Sequence, residues 1–469
     1  MVIPIQTVYA ADDPMTRLSG TLELEIYVQF DKTNIHIEPV ALPEAVSGLQ
    51  ALEMSGLEIE TIEGAFGISV CRINGVGCPA SNCFCDIENF WTYHYWDHGQ
   101  TQWVEHFFTP DSTLITQTGA IEGFHWGPSR TSPAALDTAQ RIIDTRPSMN
   151  WLRDQHMADG GFGTHDATAE TMLAVAASEI NPFTWYDEMT GTKTPIENTP
   201  TLLDYWSADV DADDDHTNNA AAYVAEGATA TGKLLLGVAG ISQNIYQFAG
   251  INLVDRLKSY YDLENGIFGS SNTDQIYGIL GWHQTTSNIG SLLGVEPVPD
   301  VAVNVLRKRQ NADGGWGMMP EEDSDTPTTT LAIQALVAGD ICNGARDMKE
   351  AMAYLKQVQR SDGGFALRTN RTESDVYATA LSIQTLFALG HDPSDEVWQI
   401  NGKTPWDFLM GAQLAHGGFT SPADTQADLT TTQAALFTVV EETRLLDVPR
   451  PLCDDWFFPI IGNAERVRN

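Results

Sequence analysis

Five aspartates lie between Asp209 and Asp215, and carboxylates at this density are typical of a wet, ionised loop. An aspartic acid in such a run can donate a proton only when neighbouring groups and a dry, apolar cavity keep it protonated. Carboxylate oxygens are also the ligands that Ca²⁺ prefers, so Asp209, Asp211, Asp213 and Asp215 could form a calcium site. An ionised, solvated turn that caps the next helix explains the same residues without any ligand. The run by itself leaves these three interpretations open.

Polar residues at the start of several predicted helices form a second set of candidates. If these helices open on one rim of a ring, their hydroxyl, amide and carboxylate groups offer donors and acceptors to a large polar ligand. A residue in this position also caps its own helix, and capping alone explains half of the set or more. The residues predicted to bind a ligand are Thr168, Asp274, Asp325, Thr328, Asp375 and Tyr377. The wider rim includes His165, Asp166, Gln275, Gln426 and Asp428.

A predicted strand between residues 90 and 96 carries aromatic side chains on both faces. Alternation places Trp91, Tyr93 and Tyr95 on one face. The simpler interpretation is a core on that face and a cross-strand ladder on the other. The second interpretation is a stacking platform that faces a ligand, which Trp126 would join. Both interpretations are kept.

The six cysteines fall into two groups. The first group is Cys71, Cys78, Cys83 and Cys85. Its spacing lacks the Cys-x2-Cys pairs of structural zinc sites, so two disulfides are expected, with three pairings open. The second group is Cys342 and Cys453, and a bond between them would tie the C-terminal tail to the preceding helices.

A Gly-Gly-aromatic turn, or a close variant of it, recurs along the second part of the chain at a nearly fixed spacing. Its aromatic residues are Phe162, Phe268, Trp316, Phe365 and Phe419. The last four are 48, 49 and 54 residues apart, whereas the first gap of 106 residues spans two units. One unit has therefore lost its glycines, and the aspartate run stands in their place. Repeats of this period form arrays of similar units that bury their apolar faces against one another.

Two helical patterns flank each turn. An amphipathic helix precedes it, and a helix rich in small residues follows, opened by an acidic or hydroxyl cap. Six such pairs are predicted, at residues 139–157 with 167–178, 200–207 with 217–238, 250–261 with 273–284, 299–310 with 326–338, 347–358 with 375–389 and 404–414 with 428–441. Six outer and six inner helices can close a ring. The sequence therefore predicts an all-α α6/α6 toroid within residues 131–445.

Residues 15–128 follow a different pattern of short alternating strands, tight turns and one helix. They predict a small α+β domain that is mainly β, so the protein is expected to be multidomain. Residues 1–14 are expected to be the remnant of an export signal or disordered, and residues 446–469 a C-terminal tail. An extracellular or cell-surface location follows from the export signal and the disulfides.

Composition argues against several classes of partner. The formal net charge of −38 disfavours nucleic acid and anionic lipid. No apolar run approaches the roughly 18 residues needed to cross a bilayer, so no transmembrane segment is predicted. The sequence contains no Cys-Gly-x-Gln run, no Gly-x-Ser-x-Gly elbow and no phosphate loop.

The repeats at residues 139–441 resemble the prenyltransferase and squalene-cyclase repeat superfamily. That superfamily includes terpene cyclases, protein prenyltransferase β subunits, complement-type thioester domains and cobalamin-transport proteins, so the resemblance implies the toroid but not one activity. Asp211-Ala212-Asp213-Asp214 is similar to the Asp-x-Asp-Asp motif of class II terpene cyclases, in which the middle aspartate protonates an alkene or epoxide. The resemblance implies that Asp213 would be the acid.

The first domain resembles the small β domain that accompanies a toroid in transcobalamin and intrinsic factor. The shared runs include Gly64-Ala65-Phe66-Gly67, Ile73-Asn74-Gly75 and Glu122-Gly123-Phe124-His125-Trp126-Gly127. This resemblance implies a corrinoid-like ligand, with cobalamin as the candidate cofactor, held between the β domain and the toroid mouth.

The leading hypothesis is therefore an exported, non-catalytic binding protein for a large ligand, with no catalytic residue. One alternative is a class II-type terpenoid cyclase that uses the Asp211–Asp214 run, with Asp213 as its acid. The other is an extracellular structural protein that self-associates. A deep open cleft would favour the binding protein, a dry cavity around Asp213 the enzyme, and a filled toroid the structural role.

Overall fold

The chain divides into two compact units, Met1–Arg146 and Pro147–Asn469. The computed structural model describes residues 22–31, 34–42, 45–64, 67–100, 102–177, 200–210, 217–287, 297–420 and 426–439. The predicted signal remnant at residues 1–14 and the predicted tail at residues 446–469 lie outside these ranges. Among the described helices, none has the length and apolar character that crossing a membrane requires.

The first unit is rich in β structure. Its described strands are β1 (Leu22–Gln29), β2 (Ile35–Leu42), β3 (Val46–Ser47), β4 (Ile59–Gly64), β5 (Gly67–Ile73), β6 (Val76–Gly77), β7 (Asn89–Asp97), β8 (Gln102–Glu105), β9 (Leu114–Ile115) and β10 (Ala120–Pro128). The main sheet has the order β2-β1-β10-β7-β8, in which only β1 and β10 are parallel. One helix, α1 (Gly48–Met54), begins at Ser47, whose side chain accepts a hydrogen bond from the Gln50 amide. The β-rich character of this unit agrees with the predicted fold class.

Two disulfides lie in the region from β5 to the start of β7, and one of them includes Cys71 of β5. They join Cys71 to Cys83 and Cys78 to Cys85, which selects one of the three pairings that the spacing left open. Cys342 is also in a disulfide, whereas Cys453 lies outside the described residues. The two bridges of the first unit close short loops over a segment with little core of its own.

The second unit consists of alternating outer and inner helices, the first of which begins in the first unit. The outer helices are α2 (Leu136–Asp154), α4 (Leu202–Ser207), α7 (Leu253–Ser259), α9 (Asp300–Lys308), α11 (Arg346–Val358) and α13 (Pro405–Gly411). The inner helices are α3 (His165–Ala177), α5 (Asn219–Ala225) continued by α6 (Ala228–Gly240), α8 (Asn272–Ser287), α10 (Thr326–Ala338), α12 (Val376–Ala388) and α14 (Leu429–Val439). These positions follow the predicted pairs closely. One difference is the break at Gly227, where a φ of 144° divides the second inner helix.

The inner helices close a ring. Each packs against the next in the order α3, α6, α8, α10, α12 and α14, and α14 packs against α3. At this closure the Gln433 amide donates to the Thr171 hydroxyl at 2.6 Å and to the Ala167 carbonyl at 2.8 Å. The helical toroid predicted from the repeats is therefore present.

The Gly-Gly-aromatic turns lock each repeat to the next. Gly363 has a φ of 91°, and a Cβ there would lie 2.2 Å from the Thr404 carbonyl oxygen at the start of the next outer helix. Only glycine fits such a site. The amide of Phe365 then donates to the Thr379 hydroxyl at 2.9 Å, which fixes the turn to the inner helix that follows.

Candidate functional site

One ion-pair network lies inside the ring, where three inner helices of the first half face its axis. The Lys233 ammonium on α6 lies 2.9 Å from an Asp166 oxygen and 2.8 Å from a Glu170 oxygen, both on α3. Only 13% of the Lys233 side chain is exposed. Burial by itself would lower the pKa of Lys233, but Glu170, Tyr277 and Asp166 raise it well above its ordinary value. Lys233 is therefore cationic, and two carboxylates share its charge.

Two tyrosines complete this cluster. The Lys233 ammonium lies 5.2 Å from the ring centroid of Tyr277 on α8, at cation–π distance. Burial raises the pKa of Tyr377 on α12, and Glu170 across the ring raises it further. Because α12 is adjacent to neither α3 nor α6 in the ring, these side chains interact only across its axis. We call Asp166, Glu170, Lys233, Tyr277 and Tyr377 the lumen cluster.

Tyr223 connects this cluster to the segment that carries the aspartate run. Its hydroxyl, on α5, donates to Asp166 at 2.9 Å. The two segments that lead into and out of the run are held side by side, because the Val210 amide donates to the Thr217 carbonyl at 2.9 Å. Residues 211–216 lie outside the described residues, so the predicted acid Asp213 and most of the predicted calcium ligands cannot be placed. In the described part of the chain, no three histidine, cysteine or acidic side chains are grouped as a metal site would need.

Most of the predicted rim residues serve the local fold. Asp325 accepts from the Thr328 amide at 2.8 Å and from the Thr328 hydroxyl at 3.1 Å, and Asp375 caps α12 in the same way through the Ala378 amide. Burial raises the pKa of both aspartates. The side chains of both aspartates are engaged in capping bonds, and ligand binding by them stays a prediction.

Asp274 and Thr168 are likewise engaged. Asp274 accepts from the Thr229 hydroxyl at 2.8 Å and so joins α8 to the first turn of α6. The Thr168 hydroxyl accepts from the Phe162 amide at 3.0 Å and donates to the Thr164 carbonyl at 2.7 Å. Both bonds are internal to the repeat, and ligand binding by Thr168 stays a prediction. Among the six predicted ligand-binding residues of the toroid, Tyr377 is the one that belongs to the lumen cluster.

The aromatic residues of β7 and β10 are largely packed within the first unit. Tyr93 is buried and stacks on His106 at 4.2 Å, while Tyr95 contacts the same imidazole at 4.9 Å. Trp91 packs against Trp126 at 5.6 Å and donates from its indole nitrogen to the Val76 carbonyl at 3.3 Å. This is the core interpretation of the strand, and ligand binding by these four residues stays a prediction.

Three members of the lumen cluster were not predicted as site residues. Glu170, Lys233 and Tyr277 each stand six positions after the residue that caps their inner helix. Lys233 is the only charged residue of α6, and its neighbours are small or apolar. A single ionisable residue in a buried helix of small residues costs free energy unless it is paired. The isolated lysine was therefore the sequence signal that could have indicated this site.

A family model and several known proteins match parts of the chain. Residues 288–452, about a third of the chain, match the family model of the prenyltransferase alpha-alpha toroid domain. A drimenyl diphosphate synthase from Streptomyces showdoensis is 36% identical over 91 residues, which is 18% of this chain and 17% of that protein. The geranylgeranyl transferase type-1 subunit beta of Arabidopsis thaliana is 27% identical over 173 residues, 34% of this chain and 44% of that protein. The chain thus spans less than half the length of these curated relatives.

Solved structures with similar folds include terpene cyclases. The type II terpene cyclase MstE from Scytonema aligns with a TM-score of 0.44 at 14% identity, over 66% of this chain and 99% of that chain. The ent-copalyl diphosphate synthase from Streptomyces platensis aligns with a TM-score of 0.37 at 15% identity, over 59% of this chain and 50% of that chain.

These comparisons correct the leading hypothesis from the sequence. A non-catalytic carrier of a corrinoid-like ligand was wrong, because the relatives with significant sequence similarity are diphosphate synthases and a prenyltransferase subunit. The likeness of the first unit to the β domain of cobalamin carriers stays a prediction. What the comparisons favour is the class II cyclase that stood as the alternative.

Proposed function

We propose that the toroid is an isoprenoid cyclase of the class II type, in which a carboxylic acid protonates a polyprenyl chain folded inside the ring. The observation that carries the proposal is the lumen cluster, in which carboxylates and tyrosine rings from inner helices on different sides of the ring meet near its axis. The relatives named as drimenyl diphosphate synthases and as a geranylgeranyl transferase subunit support an isoprenoid substrate.

The chemistry needs three things that this lumen could supply. A carboxylic acid transfers its proton to a terminal alkene or epoxide, and the electron pair of the next double bond closes a ring onto the resulting cationic carbon. Aromatic faces such as that of Tyr277 stabilise positive charge at short range. Loss of a proton from the last cation to a carboxylate ends the reaction, so the product is an isomer of the substrate.

Asp213 is the proposed proton donor. It occupies the position of the middle aspartate in the Asp-x-Asp-Asp pattern, and the described ends of its loop lead directly into α5. That helix contributes Tyr223, whose hydroxyl bonds to Asp166 in the lumen cluster. Asp325 and Asp375, whose pKa values are raised by burial, are the described competitors for this role.

Substitution of aspartate by asparagine separates these candidates, because asparagine caps a helix as well as aspartate does. We expect Asp213→Asn to lower the rate of product formation by about a hundredfold or more, the usual contribution of a general acid. Asp215→Asn removes the same charge from the same run and is expected to retain the activity. Loss of activity in Asp325→Asn but not in Asp213→Asn would overturn the assignment of the acid.

A further inference from the structure

The turn of the sixth repeat differs from its counterparts in the residue that accepts a hydrogen bond from the second glycine. In the first, fourth and fifth repeats that residue is an aspartate, and its carboxylate lies 2.9, 3.0 and 3.1 Å from the glycine amide. In the sixth repeat the Gly418 amide donates instead to Nδ1 of His416, at 3.4 Å. The first glycine of these four turns has a φ between 89° and 99°. His416 therefore replaces an aspartate in a turn whose backbone is unchanged.

A second difference accompanies this replacement. Ser324 donates to Asp313 at 2.7 Å, and Ser374 donates to Asp362 at 2.6 Å. Each of these serines stands immediately before the residue that caps the next inner helix, and at that position the sixth repeat has Ala427. An alanine has no hydroxyl to donate. The side chains around the sixth turn therefore suit a neutral imidazole, which needs no second donor, better than a carboxylate.

The sixth turn closes the ring on its outer side, because it packs against α2 of the first repeat. A Cβ at Gly417 would lie 2.1 Å from the Pro147 carbonyl oxygen, so the backbones of the two repeats are in direct contact. The His416 imidazole stacks on the indole of Trp151, with the ring centroids 6.3 Å apart. Opening of this turn therefore loosens the contact between the last repeat and the first.

Histidine is the side chain whose charge ordinarily changes between about pH 5 and 8. The His416 side chain is exposed, so protons from solvent reach it. A neutral imidazole accepts a hydrogen bond at Nδ1, whereas a protonated one has two donors and no acceptor. Protonation therefore leaves the buried Gly418 amide without an acceptor, which costs free energy. The Trp151 ring lies slightly beyond the distance of about 6 Å at which an aromatic face stabilises a cation, so it compensates little of this loss.

The charged groups described on the neighbouring elements have partners of their own. Arg153 and Asp154 of α2 pair with each other at 3.3 Å. Asp407 of α13 and Asp428, which precedes α14, cap their own helices. Within the described parts of these elements, none of the four forms an ion pair with His416. A protonated His416 therefore gains no carboxylate partner there in exchange for the lost hydrogen bond.

We infer that the contact between the sixth and first repeats is an acid-sensitive closure of the toroid, in which protonation of His416 releases the Gly418 amide and loosens the turn from α2. Aspartates stay ionised above about pH 5, so the turns that use them keep their hydrogen bonds over the range in which this one is lost. The inference goes beyond the proposed function and does not depend on it, because it concerns how the ring closes and not what the ring binds.

Hydrogen exchange followed by mass spectrometry tests the inference on the intact chain between about pH 8 and 5. Peptides from residues 414–420 report the sixth turn, and peptides from residues 360–366 report the fifth turn as an internal reference. After correction for intrinsic exchange, the ratio of the two rates is expected to rise about tenfold on acidification, because one buried hydrogen bond is lost. Peptides from residues 147–154 of α2 should show the same rise.

Two single variants separate this cause from a general effect of acid. His416→Asp gives the sixth turn the acceptor of the other turns and should keep the ratio constant. His391→Asn is the matched control, because His391 also lies 6.3 Å from a tryptophan ring, that of Trp398, but accepts no hydrogen bond from a glycine turn. This control should retain the tenfold rise.

A double variant tests whether the dependence on pH can be transferred. Asp362→His combined with Ser374→Ala gives the fifth turn the side chains of the sixth, and exchange at residues 360–366 should then rise on acidification relative to residues 311–317. A wild-type ratio that does not change with pH overturns the inference. So does a rise that persists in His416→Asp, or a fifth turn in the double variant that shows no dependence on pH.

Discussion

The two halves of the inner ring differ most in the side chains that stand six residues after each capping residue. In the first three repeats these side chains are Glu170, Lys233 and Tyr277. In the last three they are Leu331, Leu381 and Ala434. The fold is the same in both halves, yet only the first half places charged and phenolic groups at this level.

In the last three repeats, hydrogen bonds between neighbouring inner helices have a structural role. The Gln334 amide on α10 donates to the Thr385 hydroxyl on α12 at 3.1 Å, and the Gln384 amide on α12 donates to the Thr438 hydroxyl on α14 at 2.8 Å. These bonds join neighbouring inner helices at corresponding positions. The stretch that matches the toroid family model, residues 288–452, includes this half. Regular repeats therefore maintain the ring, and departures from the repeat mark the candidate site.

Substitution of a turn glycine is expected to destabilise the last three repeats more than any other change considered for them. Gly363→Ala places a Cβ 2.2 Å from the Thr404 carbonyl oxygen at a φ of 91°. We expect a loss of about 3 kcal/mol of unfolding free energy from strain and steric overlap. Gly411→Ala has no atom within 4 Å of the new Cβ and is the matched control. Urea denaturation followed by circular dichroism measures both, and an unchanged midpoint for Gly363→Ala would contradict the packing described.

Removal of the Lys233 ammonium is expected to destabilise the first three repeats. Lys233→Met leaves Glu170 and Asp166 facing each other without a counter-charge, which is expected to cost roughly 2 kcal/mol of unfolding free energy. Adding Glu170→Gln removes one of the two negative charges and should recover at least half of that loss. Leu381→Met changes the corresponding position of the second half and should have little effect. A double variant no more stable than Lys233→Met would show that the ion pairs are not the cause.

The hydrogen bonds between the regular inner helices should matter for stability but not for binding. Gln384→Leu removes the bond to Thr438 and is expected to cost about 1 kcal/mol of unfolding free energy. Its affinity for a polyisoprenoid should equal that of the wild type, whereas Lys233→Met should change it. Paired denaturation and fluorescence titrations measure the contrast. A weakened ligand affinity in Gln384→Leu would contradict the assignment of the ligand site to the lumen cluster.

The first unit has its own dependence on pH, which does not involve the ring of inner helices. Burial lowers the pKa of His94 and of His125 from 6.5 to about 4. Between these pH values the unfolded chain binds more protons than the folded chain, so stability falls as the pH drops from about 6.5 to about 4. Hydrogen exchange of β7 and β10 in the intact protein reports this change. A variant with His94→Asn and His125→Asn should lose the dependence, and an identical slope in that variant would assign it elsewhere.

The helices could be predicted from the sequence because several separate signals in each repeat indicate the same helix. A cap such as Asp325, a first-turn proline such as Pro327 and a glycine turn before them agree with one another, and local agreement of this kind specifies an element well. The disulfide pairing could not be predicted, because the spacing of the four cysteines allowed three solutions. The break at Gly227 was missed because a single glycine within an apolar run does not by itself end a helix.

The candidate site was harder to predict because its side chains come from helices on different sides of the ring. Asp166 and Tyr377 were expected at the mouth, but Glu170, Lys233 and Tyr277 lie within helices whose patterns indicate burial. Which of these side chains meet depends on how the ring closes, and helical periodicity carries no such information. Thr168 had the right residue type in the right place, yet its hydroxyl is used by the turn.

Product analysis in D2O tests the central claim most directly. The intact protein is incubated with squalene and with geranylgeraniol, and the extracts are analysed by mass spectrometry and NMR. Proton-initiated cyclisation of an alkene predicts an isomer of the substrate with fewer double bonds and one deuterium, at the carbon that received the proton. The Asp213→Asn variant should form little of it. Recovery of only linear substrate, from a protein shown to bind it, would contradict the assignment of the toroid as a cyclase.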